Sequence, residues 1–144
     1  MREISTLKKL FLLIVIFCVT SCREEYVLPI TNTGGVSTNH SGCNYVSGFG
    51  TIGSKVLFAV QPPKSGSYKL EIRYVTTTNQ TATASLYING KIAGEQLSFP
   101  ETSDKNDWQT IERQVTLNQN VNYIAIQYDA GDNGQFNLDY ILIK

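Results

Sequence analysis

The sequence predicts an all-β fold, a single β-sandwich of the jelly-roll type, and three observations carry that expectation. No window after residue 22 sustains the 3.6-residue apolar period of a helix, and no capping box precedes an apolar stripe. Alternation of apolar and polar residues is frequent instead. Between the alternating runs lie clusters of Gly, Pro, Asn, Asp and Ser, at the spacing of short strands joined by turns.

In chain order, the first element stands outside the sandwich. Lys8 and Lys9 precede the apolar run Leu10 to Val19, about half of the twenty residues that a spanning helix needs. The run ends in Val19-Thr20-Ser21-Cys22, which resembles the bacterial lipobox. Its small residues admit a narrow peptidase cleft, and its thiol is the nucleophile that takes the diacylglycerol. Residues 1–21 therefore read as a lipoprotein signal peptide, with Cys22 lipidated and the N-terminal lipid as the sole membrane anchor. Arg23-Glu24-Glu25 resembles an export tag of bacterial surface lipoproteins, so the expected location is the outer membrane, exposed at the cell surface. Residues 22–34 read as the lipidated cysteine and a tether, and residues 35–144 as the sandwich.

Each strand has its own signature. Val56 to Val60 is nearly all apolar, as a central sandwich strand should be. In Tyr68 to Tyr74 the residues Tyr68, Leu70, Ile72 and Tyr74 face one way, while Lys69, Glu71 and Arg73 face the other. Ala84 to Ile88 runs into Asn89-Gly90, a type I′ hairpin signal. Trp108 to Leu117, Val121 to Tyr128 and Phe136 to Ile143 complete the set. Pro62-Pro63, Ser65-Gly66 and residues 129–134 supply the turns.

Composition excludes several classes. Hydrophobic residues make up 42%, too many for a disordered chain, and the formal net charge is zero. A nucleic-acid binder would need an excess of Lys and Arg that is absent. Cysteine usage is equally restrictive. Cys18 leaves with the signal and Cys22 is acylated, so Cys43 has no intramolecular partner, and packing or a metal ion must supply the stability.

Catalytic signals are poor. His40 is the only histidine and lies among Asn39, Ser41 and Gly42, in a loop. Cys43 is close to it in sequence, but a nucleophile–base pair also needs an oxyanion hole. The carboxylates Glu71, Glu95, Glu101, Asp104, Asp107, Glu112 and Asp139 are placed as solvated strand faces or loops rather than as a hydrolytic pair. The expectation is that the chain is not an enzyme.

Six segments in order then resemble carbohydrate-binding module families 6 and 35. They are Ser41-Gly42-Cys43-Asn44-Tyr45-Val46; Gly53 to Phe58; Ser65 to Tyr68 with Ile72-Arg73-Tyr74; Ile88-Asn89-Gly90; Trp108-Gln109-Thr110 with Val115-Thr116-Leu117; and Asn137-Leu138-Asp139-Tyr140-Ile141. The resemblance implies a galactose-binding-like jelly roll that holds a polysaccharide or oligosaccharide in its end loops without cleaving it. Such a module is a companion to glycan-degrading enzymes. The physics suits the ligand, because a pyranose presents an apolar C–H face to an aromatic ring and rim hydroxyls to an amide. Carried over by position, Tyr45 is the loop tyrosine, Asn137 the amide and Trp108 an aromatic of the site. Lys105 stands where the family often has another tryptophan; a cation cannot stack as an indole does but can pair with an acidic sugar, so either Trp108 takes the platform role or the site is altered or lost. The resemblance also implies a structural calcium ion, with Asp139 as one ligand and Glu24 and Glu25 loosely placed as others. An adhesion or assembly module that reads protein on the same fold is the alternative.

Overall fold

A computed structural model describes residues 45–144, and within them the chain is all strand and loop. The signal peptide 1–21, Cys22, the tether 22–34, and Glu24, Glu25, His40 and Cys43 lie outside the described residues.

Nine strands follow in order: β1 (Val46–Phe49), β2 (Lys55–Val60), β3 (Gly66–Thr76), β4 (Ala82–Ile88), β5 (Lys91–Ile92), β6 (Leu97–Phe99), β7 (Gln109–Leu117), β8 (Asn122–Gln127) and β9 (Phe136–Ile143). One sheet has the order β1-β9-β3-β7 and the other β2-β8-β4-β5, with β6 added beside β4. All these pairings are antiparallel. The expected sandwich is therefore present, and its strand order arises from crossovers rather than a simple meander.

The alternation read in residues 68–74 sets the packing. Leu70, Ile72 and Tyr74 enter the core between the sheets, where they meet Phe58, Leu86, Ile124, Ile126 and Leu138. The charges on the opposite side of β3 are each paired across the outer face. Lys69 reaches Glu112 at 3.0 Å, Glu71 reaches Lys144 at 2.5 Å, and Arg73 reaches Asp139 at 2.6 Å.

The Asn89-Gly90 turn takes the conformation its sequence requires. Both residues have positive φ, 52° and 78°, and the turn joins β4 to β5. Three strands were not foreseen as such. β5 and β6 have two and three residues, too few to display a period, and β1 is a four-residue strand containing Gly48 at φ 94°.

Candidate functional site

Four loops gather at the end of the sandwich where β9 begins: 50–54, 77–81, 100–108 and 128–135. Pairing puts them there. Phe136 is opposite both Phe49 and Thr76, Lys55 is opposite Gln127, and Ala82 is opposite Phe99. Backbone bonds lace the loops together, with Gly53 N–H donating to the Tyr128 carbonyl at 2.8 Å and Thr77 N–H to that of Gln135 at 2.9 Å. A side chain could not replace the hydrogen of Gly134, since a Cβ there would meet the Ala82 backbone at 2.7 Å.

Tyr45 immediately precedes β1, and Trp108 immediately precedes β7, the two outermost strands of one sheet among the described residues. Their rings nevertheless meet edge-on, with centroids 5.5 Å apart and planes at 64°. The pair therefore reaches across the outer face of the sheet, over β9 and β3. Trp108 is buried, at 9% exposure, but belongs to this outer layer rather than to the core between the sheets. Tyr45 is half-buried and is the ring with open surface.

Beneath the rings lies Arg73. Its guanidinium carbon is 5.8 Å from the Trp108 ring centroid and 6.0 Å from that of Tyr140, within cation–π range of both. Nη1 donates to Asp139 Oδ2 at 2.6 Å, and the Asp139 side chain is only 1% exposed. Arg73 is the residue that reading the sequence did not single out. Its alternation marked a polar strand face, and nothing in one strand reveals two aromatic neighbours and a buried carboxylate supplied by others.

Asn137 lies between Phe136 and Leu138, both in the core, so its side chain faces outward; across the ladder it is opposite Val75. Gln109 is opposite Tyr74, so Trp108, one residue earlier, flanks Val75 from the other side. Asn137, fully buried Val75 and Trp108 thus form a row across three strands, its ends about 10 Å apart by strand spacing. Among the described residues the Asn137 amide has no hydrogen-bond partner.

Lys105 is exposed at the tip of a tight turn in which Asp107 N–H donates to the Asp104 carbonyl at 3.1 Å. Ser103 N–H and Oγ both donate to Asp107 Oδ2, at 3.0 and 2.8 Å, and hold that carboxyl below its ordinary range. The loop after β8 is knit in the same way. Gln127 and Tyr87 donate to the two oxygens of Asp129, at 2.6 and 2.8 Å, which lowers the Asp129 pKa and raises that of Tyr87. The sequence showed residues 129–134 as turn formers only.

A calcium ion takes six or more oxygen ligands. Among the described residues no group of three or more His, Cys, Asp or Glu side chains is placed to hold a metal, and Asp139 already accepts from Arg73. The described residues do not by themselves make such a site.

The model of one family, carbohydrate binding module (family 6), matches residues 29–144. The 1,6-alpha-glucosyltransferase of Sporosarcina globispora is 36% identical over 124 residues, covering 84% of this chain and 10% of that protein. A family 35 carbohydrate binding module from Clostridium thermocellum has a TM-score of 0.69 at 28% identity, covering 81% of this chain and 86% of that one. A Listeria monocytogenes EGD-e protein, solved in complex with alpha-D-glucose, beta-D-glucose, magnesium and calcium, has a TM-score of 0.71 at 28% identity; it covers 83% of this chain and 11% of that one. The chain spans 10% and 13% of the lengths of two curated relatives it matches.

Proposed function

The chain belongs to carbohydrate-binding module family 6, and from that premise we propose that it is a non-catalytic surface lipoprotein that captures a polysaccharide or oligosaccharide at the loop end of its sandwich. The observation that carries the site is the outer-face row in which Asn137 and Trp108 flank Val75, with the Tyr45 ring against that of Trp108. Tyr45 supplies the open ring against which a pyranose face packs, and Trp108 orients that ring from below. Asn137 exchanges donors and acceptors with the sugar rim. Its partners are glycans and, by the company its relatives keep, enzymes that act on glycans. A glycan array probed with the mature chain tests the reading. Binding should be present with the natural chain and lost with Asn137→Ala. An array blank across neutral and acidic glycans would overturn it.

Lys105 favours a second reading. An exposed cation where the family often has an aromatic is compatible with an adhesion or assembly module that reads an acidic protein surface. The same array separates the two, since only the glycan reading expects binding that Asn137→Ala abolishes. A structural calcium ion, with Asp139 supplemented by residues ahead of Tyr45, belongs to the proposal as well. The relative solved with calcium supports it. If the folded state binds the ion, chelator should lower the thermal midpoint.

A further inference from the structure

An outermost strand leaves a row of main-chain groups open, and folded proteins blunt such edges with short strands, charges, prolines or bulges. Most outer strands here carry one of these devices. β1 has four residues and an irregular register, β5 and β6 have two and three residues, and β7 presents Glu112 and Arg113. β2 carries none of them. It holds six residues in unbroken register with β8 and is the outermost strand of its sheet among the described residues. From Val56 to Gln61 it has neither charge nor proline. Hydrogen bonds on either side of β8 show which of its groups are open. Tyr128 N–H donates to the Ser54 carbonyl at 2.9 Å, and Asn89 N–H to the Tyr123 carbonyl at 2.8 Å. Along β8, even-numbered residues therefore bond towards β2 and odd-numbered ones towards β4. On β2, Val56, Phe58 and Val60 bond to β8, while Lys55, Leu57, Ala59 and Gln61 turn their N–H and C=O groups to the open side.

We propose that β2 pairs with β2 of a second copy of this chain, antiparallel about a two-fold axis at Phe58. A second copy is the one occupant certain to present the same spacing of open groups, and the contact is self-complementary, as an isologous interface must be. The main chain selects the register. Leu57 faces Ala59 of the second copy and Lys55 faces Gln61, so every open residue is used, in about eight main-chain bonds. A slip of two residues one way brings in Pro63, which has no N–H to give. The opposite slip brings in Gly53, whose N–H is already donated to the Tyr128 carbonyl. Side chains agree with this register. Leu57 and Ala59 are apolar, at least partly exposed, and meet on one face. Lys55 is the only charge on the strand, and it faces an uncharged residue. The same axis brings Ile52, 68% exposed and three residues ahead of Lys55, to the end where Pro63 of the second copy lies. Two strands of this length bury less than a standard interface, so the pair is of the transient class, with a dissociation constant on the order of 100 µM.

The test uses residues 22–144 with Cys22→Ser, without lipid and in reducing buffer, so its outcome depends neither on the anchor nor on glycan binding. Sedimentation velocity from about 1 µM to about 1 mM should show the single copy giving way to a dimer. Amide exchange at Leu57, Ala59 and Gln61 should slow as the dimer forms, while Phe58 and Val60, already bonded to β8, stay protected throughout. Ala59→Pro removes an open N–H and crowds the second copy but breaks no bond to β8. It should abolish the dimer and leave the glycan profile unchanged. Ala59→Lys, which spares the main chain, sets each new cation diagonally across from its own copy and from Lys55, and should weaken the dimer about tenfold. A single copy at every concentration would overturn the proposal. So would a dimer that survives both substitutions, because the contact would then lie elsewhere. Slow exchange at Leu57, Ala59 and Gln61 that is independent of concentration would make the cover a part of the same copy and overturn it as well.

Discussion

Arg73 and Asp139, on neighbouring strands β3 and β9, form an ion pair of 2.6 Å whose carboxylate is almost wholly removed from water. Removing one partner takes a close opposite charge away from the other, at a cost of up to about 3 kcal/mol, reduced because the guanidinium keeps partial contact with solvent. Asp139→Asn and Arg73→Met should each lower the midpoint of chemical denaturation by that order. Trp108 is the only tryptophan, so its fluorescence reports the same change directly. An unaltered midpoint and emission in both variants would refute the role given to Arg73.

The two rings of the site should separate binding from stability. Tyr45→Ala should weaken glycan binding by on the order of 1 kcal/mol or more with a small effect on the thermal midpoint. Trp108→Ala empties a buried position and should cost about 3–5 kcal/mol of stability. Calorimetric titration alongside thermal unfolding distinguishes them. If Tyr45→Ala binds as the natural chain does, the open ring is not the platform.

Asn137→Ala should leave sugar hydroxyls unpaired, a penalty of about 1–3 kcal/mol in binding, with the fold intact. Lys105→Ala should weaken acidic glycans selectively, and added salt should mimic it. A loss that is equal for neutral and acidic sugars would remove Lys105 from recognition.

Acid should loosen the loop end before the core. The hydrogen bonds of Gln127 and Tyr87 to Asp129, and of Ser103 to Asp107, hold these carboxyls below their ordinary pKa in the folded state. A lowered folded pKa means a contribution fully present above the unfolded value and lost as pH falls through the folded one. Amide exchange in residues 100–108 and 128–135 should therefore accelerate below about pH 4, with β3 amides still protected. Loop exchange independent of pH, once the intrinsic rate is divided out, would contradict this.

Cys22→Ala should release the protein from the membrane fraction, because acyl chains are its expected anchor. Continued sedimentation with membranes at high salt would refute the lipoprotein reading.

The sandwich was legible because its strongest strands carry their orientation in their own spacing. Tyr68 to Tyr74 states which residues are inside, and Asn89-Gly90 states its turn. β5 and β6 escaped notice because two or three residues have no period. At the site, the family resemblance named Trp108 and Asn137 singly, and it is the register that sets both against Val75. Arg73 was hidden for a different reason. Its neighbours Trp108, Tyr140 and Asp139 come from β9 and the approach to β7, and strand crossovers are not written in local spacing.

The position of β9 bears on how the protein is made. Residues 136–143 form an interior strand, inserted between β1 and β3, and Leu70 waits for Ile143 across a separation of more than half the chain. A ribosome delivers these residues after those of β1 to β8, so β1 and β3 cannot join through their shared neighbour until then. Closing contacts of such long separation is slow. Chains shortened before residue 136 should accordingly remain protease-sensitive even though they contain every described strand of the other sheet.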